Sequence, residues 1–121
     1  MKKFTETHEW VECVGDEATV GITDFAIQEI GETVHVELPD IGKTLQAGDV
    51  ASVIESTKAA IDIITPISGE VVAINTSLKT EIERMNRSPE TEGWLFKVRL
   101  FDKTELNTLM DEAGYEKMIK G

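Results

Sequence analysis

A mainly β domain edged by short helices is the fold class that this sequence of 121 residues predicts. Three observations carry the prediction. Apolar and polar residues alternate with period two along Ala18 to Ile22, Val34 to Leu38 and Trp94 to Phe101, the pattern of strands with one buried face. Turn-forming residues at Gly15-Asp16, Pro39-Asp40, Ser68-Gly69 and Ser88-Pro89 interrupt the chain at short intervals. Helical spacing is confined to brief segments after Thr23, between Leu78 and Asn86, and after Asp102.

Taken in order, Thr7-His8-Glu9-Trp10 leads into Val11 to Val14, and a turn at Gly15-Asp16 returns the chain along Ala18, Val20 and Ile22 as a short hairpin. Thr23 or Asp24 caps a brief helix over Phe25 to Ile30, and Gly31 stops it. Val34 to Leu38 is a strand with Val34, Val36 and Leu38 on one face, ended by Pro39-Asp40. Between Gly42 and Gly48, Lys43 to Gln46 supplies a further short strand. The apolar-rich runs Val50 to Ile54 and Ile61 to Ile64 flank a tight turn, so residues 50–64 are expected to form a β-hairpin.

Glu70 to Ile74 is a strand, with Asn75 as the turn after it. Leu78, Ile82 and Met85 are spaced for one or two helical turns on the surface. Trp94, Phe96, Val98 and Leu100 form the buried aromatic face of a long strand that runs to Phe101. Residues 102–120 are expected to be helical, with Leu106, Leu109, Met110 and Ala113 on one face, Asp102 or Thr104 as cap, Gly114 as stop, and a second short helix over Tyr115 to Ile119.

A chain of this length buries about two thirds of its unfolded surface, so residues 1–121 are expected to be a single domain. Cys13 is the one cysteine, which rules out an internal disulfide and makes a reducing, cytoplasmic setting the simpler expectation. Met1-Lys2-Lys3-Phe4 leads into acidic and polar sequence rather than an apolar signal region, and no stretch approaches a membrane span. With 23 acidic and 12 basic residues the formal net charge is −11, which opposes nucleic acid and anionic membranes as partners and favours partners with basic docking faces.

The familiar catalytic and metal constellations are missing from the sequence. Cys13 has no base beside it, His8 and His35 have no metal-ligand spacing, and the glycines are scattered rather than gathered in a phosphate loop. What remains is Glu55-Ser56-Thr57-Lys58-Ala59-Ala60. Ser56 to Ala59 are too few for a helix and suit a tight turn, which puts Lys58 at a hairpin tip, open to solvent and to other proteins. Taken alone, such a lysine is most simply a solubilising surface residue.

Its context points elsewhere. Glu55 to Ala60, followed by Asp62 and by Pro66-Ile67-Ser68-Gly69-Glu70-Val71-Val72, resembles the lipoyl-attachment segment of glycine cleavage system H proteins. The likeness covers nearly the whole chain: His8-Glu9-Trp10, Gly21-Ile22-Thr23-Asp24, Val36-Glu37-Leu38-Pro39, Gly48, Asn75, Asn86, Pro89 and Glu92-Gly93-Trp94-Leu95-Phe96-Lys97 stand in family order and spacing. The sequence departs from the family pattern at Thr7, Thr57 and His35, and at Ile82, Arg84, Glu90 and Thr91, a group that bears on the arm's cleft or a docking face.

The resemblance implies a flattened β-barrel or sandwich of the biotinyl/lipoyl-carrier type, with an N-terminal hairpin, short flanking helices and a C-terminal helix. It implies that Lys58 carries lipoate covalently in amide linkage, that Glu55 is recognised by a lipoate ligase or lipoyl transferase, and that Thr7, Glu9 and Asp62 line a cleft for the arm. Two carboxylates suit a protonated amine there, although taken alone Glu9 and Asp62 are ordinary surface acids. Lysine and lipoyl chain together reach roughly 12 to 14 Å from ordinary bond dimensions.

The implied role is a non-catalytic, monomeric shuttle. It carries an aminomethyl group from glycine decarboxylase, a pyridoxal-phosphate enzyme, to an aminomethyltransferase that uses tetrahydrofolate, and electrons to dihydrolipoyl dehydrogenase, which uses FAD and NAD. Two alternatives stand beside it: an H-protein-like lipoyl carrier serving 2-oxoacid dehydrogenases or a sulfur-oxidising system, and an unmodified interaction module. A biotin carrier is disfavoured because Thr57 and Ala59, rather than methionines, flank Lys58.

Overall fold

The computed structural model of the chain describes residues 2–121. Strands β1 (Lys2–Phe4), β2 (Glu9–Val14) and β3 (Glu17–Ile22) open the chain, and α1 (Asp24–Ile30) follows. Next come β4 (Thr33–Glu37), β5 (Thr44–Leu45), β6 (Val50–Ser56), β7 (Ala60–Ile64) and β8 (Gly69–Ile74). A short helix α2 (Glu83–Arg87), strand β9 (Phe96–Leu100) and a C-terminal helix α3 (Glu112–Lys120) complete it. One antiparallel sheet has the order β1-β2-β3-β9-β8-β5 and a second the order β4-β6-β7, so the mainly β class with flanking helices holds.

The faces that alternation marked are largely the buried ones. Val11, Ala18, Val20 and Ile22 from the first hairpin meet Ile54 and Ile63 from the second sheet and Val71, Phe96 and Val98 from the first, in one continuous core. Each valine, isoleucine or phenylalanine among them contributes roughly 1.5 to 3 kcal/mol by leaving water. Leu78 and Met85, from the segment expected to lie on the surface, are also fully buried and close one side of that core.

Further expectations are corrected. In β4 Val34 is 52 % exposed, while Thr33 and Val36 are buried. The cause is a bulge: pairing steps from Thr33↔Ser56 to His35↔Glu55, two residues against one, which turns Val34 outward. The strand expected from Trp94 begins at Phe96; Leu95 and Phe96 are both fully buried, and Trp94 packs instead in a second cluster with Phe4, Trp10 and Tyr115. The early part of the tail is a 3-10 segment, Lys103–Thr108, capped by Asp102. Gly114 is no stop, because it lies in the first turn of α3 and donates its N–H to the capping Asp111 Oδ1 at 2.8 Å; Ala113 faces solvent.

Strand β1 had no sequence signal. It pairs with β2, and Phe4 also exchanges backbone hydrogen bonds with Met110 at 2.8 and 2.9 Å. The tail is thereby stitched to the N-terminal edge, which packs α3 on β1 and brings the Tyr115 hydroxyl to Thr23 at the start of α1.

Candidate functional site

Lys58 lies in the exposed turn between β6 and β7. Ser56 builds that turn: its N–H donates to Ala59 O at 2.8 Å, and its Oγ accepts from the N–H groups of Lys58 and Ala59, each at 3.1 Å. A serine hydroxyl that binds backbone two and three residues on is a compact way to close such a turn. Thr57 N–H donates to Glu32 O at 2.9 Å, so the tip is docked on the link between α1 and β4. There Gly31 has φ 84°, and a Cβ on it would sit 3.3 Å from Lys58 Cε. The lysine stem passes over a bare glycine. Glu55 is exposed at the end of β6, opposite His35 and Ala60.

A groove of about 290 Å³ begins at the residues next to that tip. Ile30 precedes Gly31 on α1, and Ile61 lies three residues beyond Lys58; both line the groove, with Ile22 and Ala26. Its polar positions are Thr7, His8, Glu9, Glu29 and Asp62, and Thr7, Glu9 and Asp62 are the three that the family resemblance assigns to a cleft. Those three differ in setting, since Thr7 and Asp62 are exposed whereas Glu9 is only 2 % exposed. Glu9 is therefore no ordinary surface acid. Its Oε1 accepts from the hydroxyls of Thr5 and Thr7, each at 2.5 Å. Burial pushes the Glu9 carboxyl above its ordinary pKa, and the hydrogen bonds from Thr5 and Thr7, with smaller ones from the backbone of Glu9 and Ile64, pull it back only in part.

Sequence reasoning missed His8 as a site residue. It lines the same groove and has φ 72°, a region uncommon for residues other than glycine, in which asparagine, aspartate and histidine are the side chains most often found. Its Nδ1 lies 2.8 Å from the Tyr115 hydroxyl and its ring packs on Phe25 at 4.7 Å. Nothing in the residue pattern distinguishes it from a polar residue at the start of a strand. The departures at Ile82, Arg84, Glu90 and Thr91 do not line the groove. Arg84 and Ile82 border other hollows, and Glu90 accepts the Asp24 N–H at 2.9 Å where α1 begins. Among the described residues no cluster of His, Cys, Asp and Glu could hold a metal ion.

An exposed lysine on a tight hairpin beside an apolar groove with a buried carboxylate is the arrangement expected of a tethered-arm carrier. The sequence profile of the glycine cleavage H-protein family matches residues 2–121. The chain belongs to that family. It is 48 % identical over 116 residues to the glycine cleavage system H protein of Thermotoga maritima, covering 96 % of this chain and 94 % of that one. It is 46 % identical over 118 residues to the protein of the same name from Parvibaculum lavamentivorans, covering 98 % and 94 %. The crystal structure of a glycine cleavage system H protein from Mycobacterium marinum superposes with a TM-score of 0.89 at 30 % identity, over 99 % of this chain and 97 % of that one. As a member of the H-protein family the chain is a non-catalytic lipoyl carrier of the glycine cleavage system, and its partners are other components of that system.

Proposed function

We propose that Lys58 is the residue joined to lipoate in amide linkage, and that the groove holding Thr7, Glu9 and Asp62 shelters the arm and its cargo. The observation that carries this reading is the position of Lys58 relative to a groove walled by Ile22, Ala26, Ile30, Ile61, Ile63 and Ile64 and lined by the carboxylates of Glu9, Glu29 and Asp62. Asp62 is four positions after Lys58, a span of no more than about 14 Å of chain, within the reach of a lysine bearing lipoate.

The residues present fit that group. Amide formation needs an amine that an enzyme can reach; Lys58 is exposed and takes part in none of the ion pairs among the described residues. Its hairpin is pre-formed by Ser56, so a lipoate ligase or lipoyl transferase meets one geometry, with Glu55, three residues back and also exposed, as the recognition residue. When attached, lipoate supplies a dithiolane that takes up an aminomethyl group and electrons. The chain supplies the shelter: Ile22, Ala26, Ile30 and Ile61 exclude water, Glu9 accepts hydrogen bonds from a protonated amine, Thr7 and Thr5 hold the Glu9 oxygen in place, and Asp62 and Glu29 add further negative charge.

The shuttle runs between glycine decarboxylase with its pyridoxal phosphate, the tetrahydrofolate-dependent aminomethyltransferase, and the FAD- and NAD-dependent dihydrolipoyl dehydrogenase. It works as a monomer, as a single carrier domain across residues 1–121, in the cytoplasm. Intact mass and peptide mapping of protein from its own cells test the attachment: a lipoyl increment on Lys58 is expected, and its absence in cells that lipoylate other proteins refutes it. Glycine–bicarbonate exchange with glycine decarboxylase tests the partner, and failure of the lipoylated chain to support exchange refutes the glycine role.

A further inference from the structure

The hydroxyl of Tyr115 joins two walls of the groove. The ring is 5 % exposed and stacks on Phe4 at 4.7 Å and 10°. Its hydroxyl lies 2.8 Å from His8 Nδ1 and 2.7 Å from Thr23 Oγ1. His8 lines the groove in a left-handed conformation held by further contacts: its N–H donates to Thr5 O at 3.1 Å, and its carbonyl accepts the Thr23 N–H at 3.0 Å. Thr23 in turn caps α1, accepting the Ala26 N–H, and Ala26 and Ile30 of that helix form another wall.

The three side chains share protons without a frustrated member. A tyrosine hydroxyl donates once and accepts as well, Thr23 can do either, and the His8 ring nitrogen can serve as donor or acceptor according to tautomer. Removing the hydroxyl leaves a ring nitrogen and a buried threonine oxygen each one partner short. An imidazole at φ 72° then has one restraint fewer against leaving the groove wall.

We propose that Tyr115 of the C-terminal helix is a positioning residue for the arm's groove, acting through His8. The inference rests on the reading of the groove as the shelter of the arm and cargo. Tyr115→Phe removes the hydroxyl and keeps the stack on Phe4. His8→Gly accepts the backbone conformation without strain and removes the imidazole. Two readouts serve: the nitrogen-15 shifts of the His8 ring in the unlipoylated chain, and the half-time of cargo loss from the lipoylated full chain loaded with glycine and glycine decarboxylase.

In Tyr115→Phe the His8 ring resonances should move, and cargo retention should shorten about three- to tenfold, the factor one hydrogen bond carries. His8→Gly should shorten retention at least as much, and the double variant no further. Unchanged retention in Tyr115→Phe overturns the inference, as does a double variant in which the two factors multiply, whatever happens to melting temperature. Glu9→Gln and Asp62→Asn separate this from the underlying reading: if neither shortens retention, the shelter reading itself fails.

Discussion

Replacing Glu9 by glutamine should stabilise the chain at neutral pH, by an amount that grows with pH across a definable window. Glu9 is 2 % exposed and its Oε1 takes two hydroxyl hydrogen bonds at 2.5 Å. Taking a carboxylate out of water costs several kcal/mol, and each hydrogen bond to a charged acceptor returns about 1.5 to 3 kcal/mol. Burial is the larger effect, so the folded-state pKa stands above the ordinary 4.5. The sign follows from proton counting. Between 4.5 and the raised folded value the native chain holds more protons than the unfolded one, so stability from this group falls as pH rises through that window.

One proton limits the slope to about 1.4 kcal/mol per pH unit. Below the window the carboxylic acid is protonated in both states and contributes no difference; above it the loss is constant. Glutamine keeps an oxygen for Thr5 and Thr7 but does not ionise, so the other acids cancel between the two proteins. Urea unfolding of both at closely spaced pH values measures the difference, variant minus wild type, which should rise from pH 4.5 upward and then level off. A flat difference, or one that falls as pH rises, would refute the argument, because it would mean that the threonines outweigh burial. The same variant should retain cargo less well, so stability and carriage move in opposite directions.

Three further substitutions test the supports of the site. Gly31→Ala places a side chain at φ 84° and a Cβ 3.3 Å from Lys58 Cε; it should cost about 1 to 2 kcal/mol in urea unfolding and slow lipoylation by a purified ligase. Gly69→Ala drives a Cβ into the backbone carbonyl of Arg99 across the β8–β9 pairing, and a loss above about 3 kcal/mol in thermal melts is expected. Asn86 donates to Thr33 O at 3.1 Å and accepts the Thr33 N–H at 2.8 Å; Asn86→Ala should cost about 2 to 3 kcal/mol and speed hydrogen exchange at the Thr33 amide first.

The hairpins, the cap at Thr23 and the stop at Gly31 were legible because each rests on a local rule that the fold does not override. Val34 was misplaced because a bulge is a two-strand event: only the partner strand β6 reveals which residue of β4 is the extra one. Gly114 was misread because a glycine after an apolar run looks like a helix end, whereas Asp111 captures its N–H to start one. At the site, Lys58, Thr7, Glu9 and Asp62 were named through the family resemblance, since read alone they are a surface lysine and ordinary polar residues, and the last three share one groove. The burial of Glu9 was not legible, since it is made by packing of segments distant in the chain. Tyr115 was assigned only to a short helix, because its contacts to His8 and Thr23 span 107 and 92 residues.

Helix α1 explains why so short an element sits at the centre of the site. Its seven residues could not stay helical alone. At its start Thr23 accepts from Ala26, and its neighbour Asp24 donates to Glu90, while Tyr115 holds Thr23 from the C-terminal helix. At its end Gly31 donates to Ile27 and passes beneath the Lys58 stem, and Glu32 accepts from Thr57 at the hairpin tip. The six-stranded sheet supplies Glu9, and the β6–β7 hairpin of the three-stranded sheet supplies Lys58 and Asp62, so neither sheet alone contains both the hairpin lysine and the buried carboxylate. α1 closes the seam between them. A wall restrained at both ends keeps a fixed separation between Lys58 and Glu9, which the proposed arm of limited reach would require and a freely moving loop would not provide.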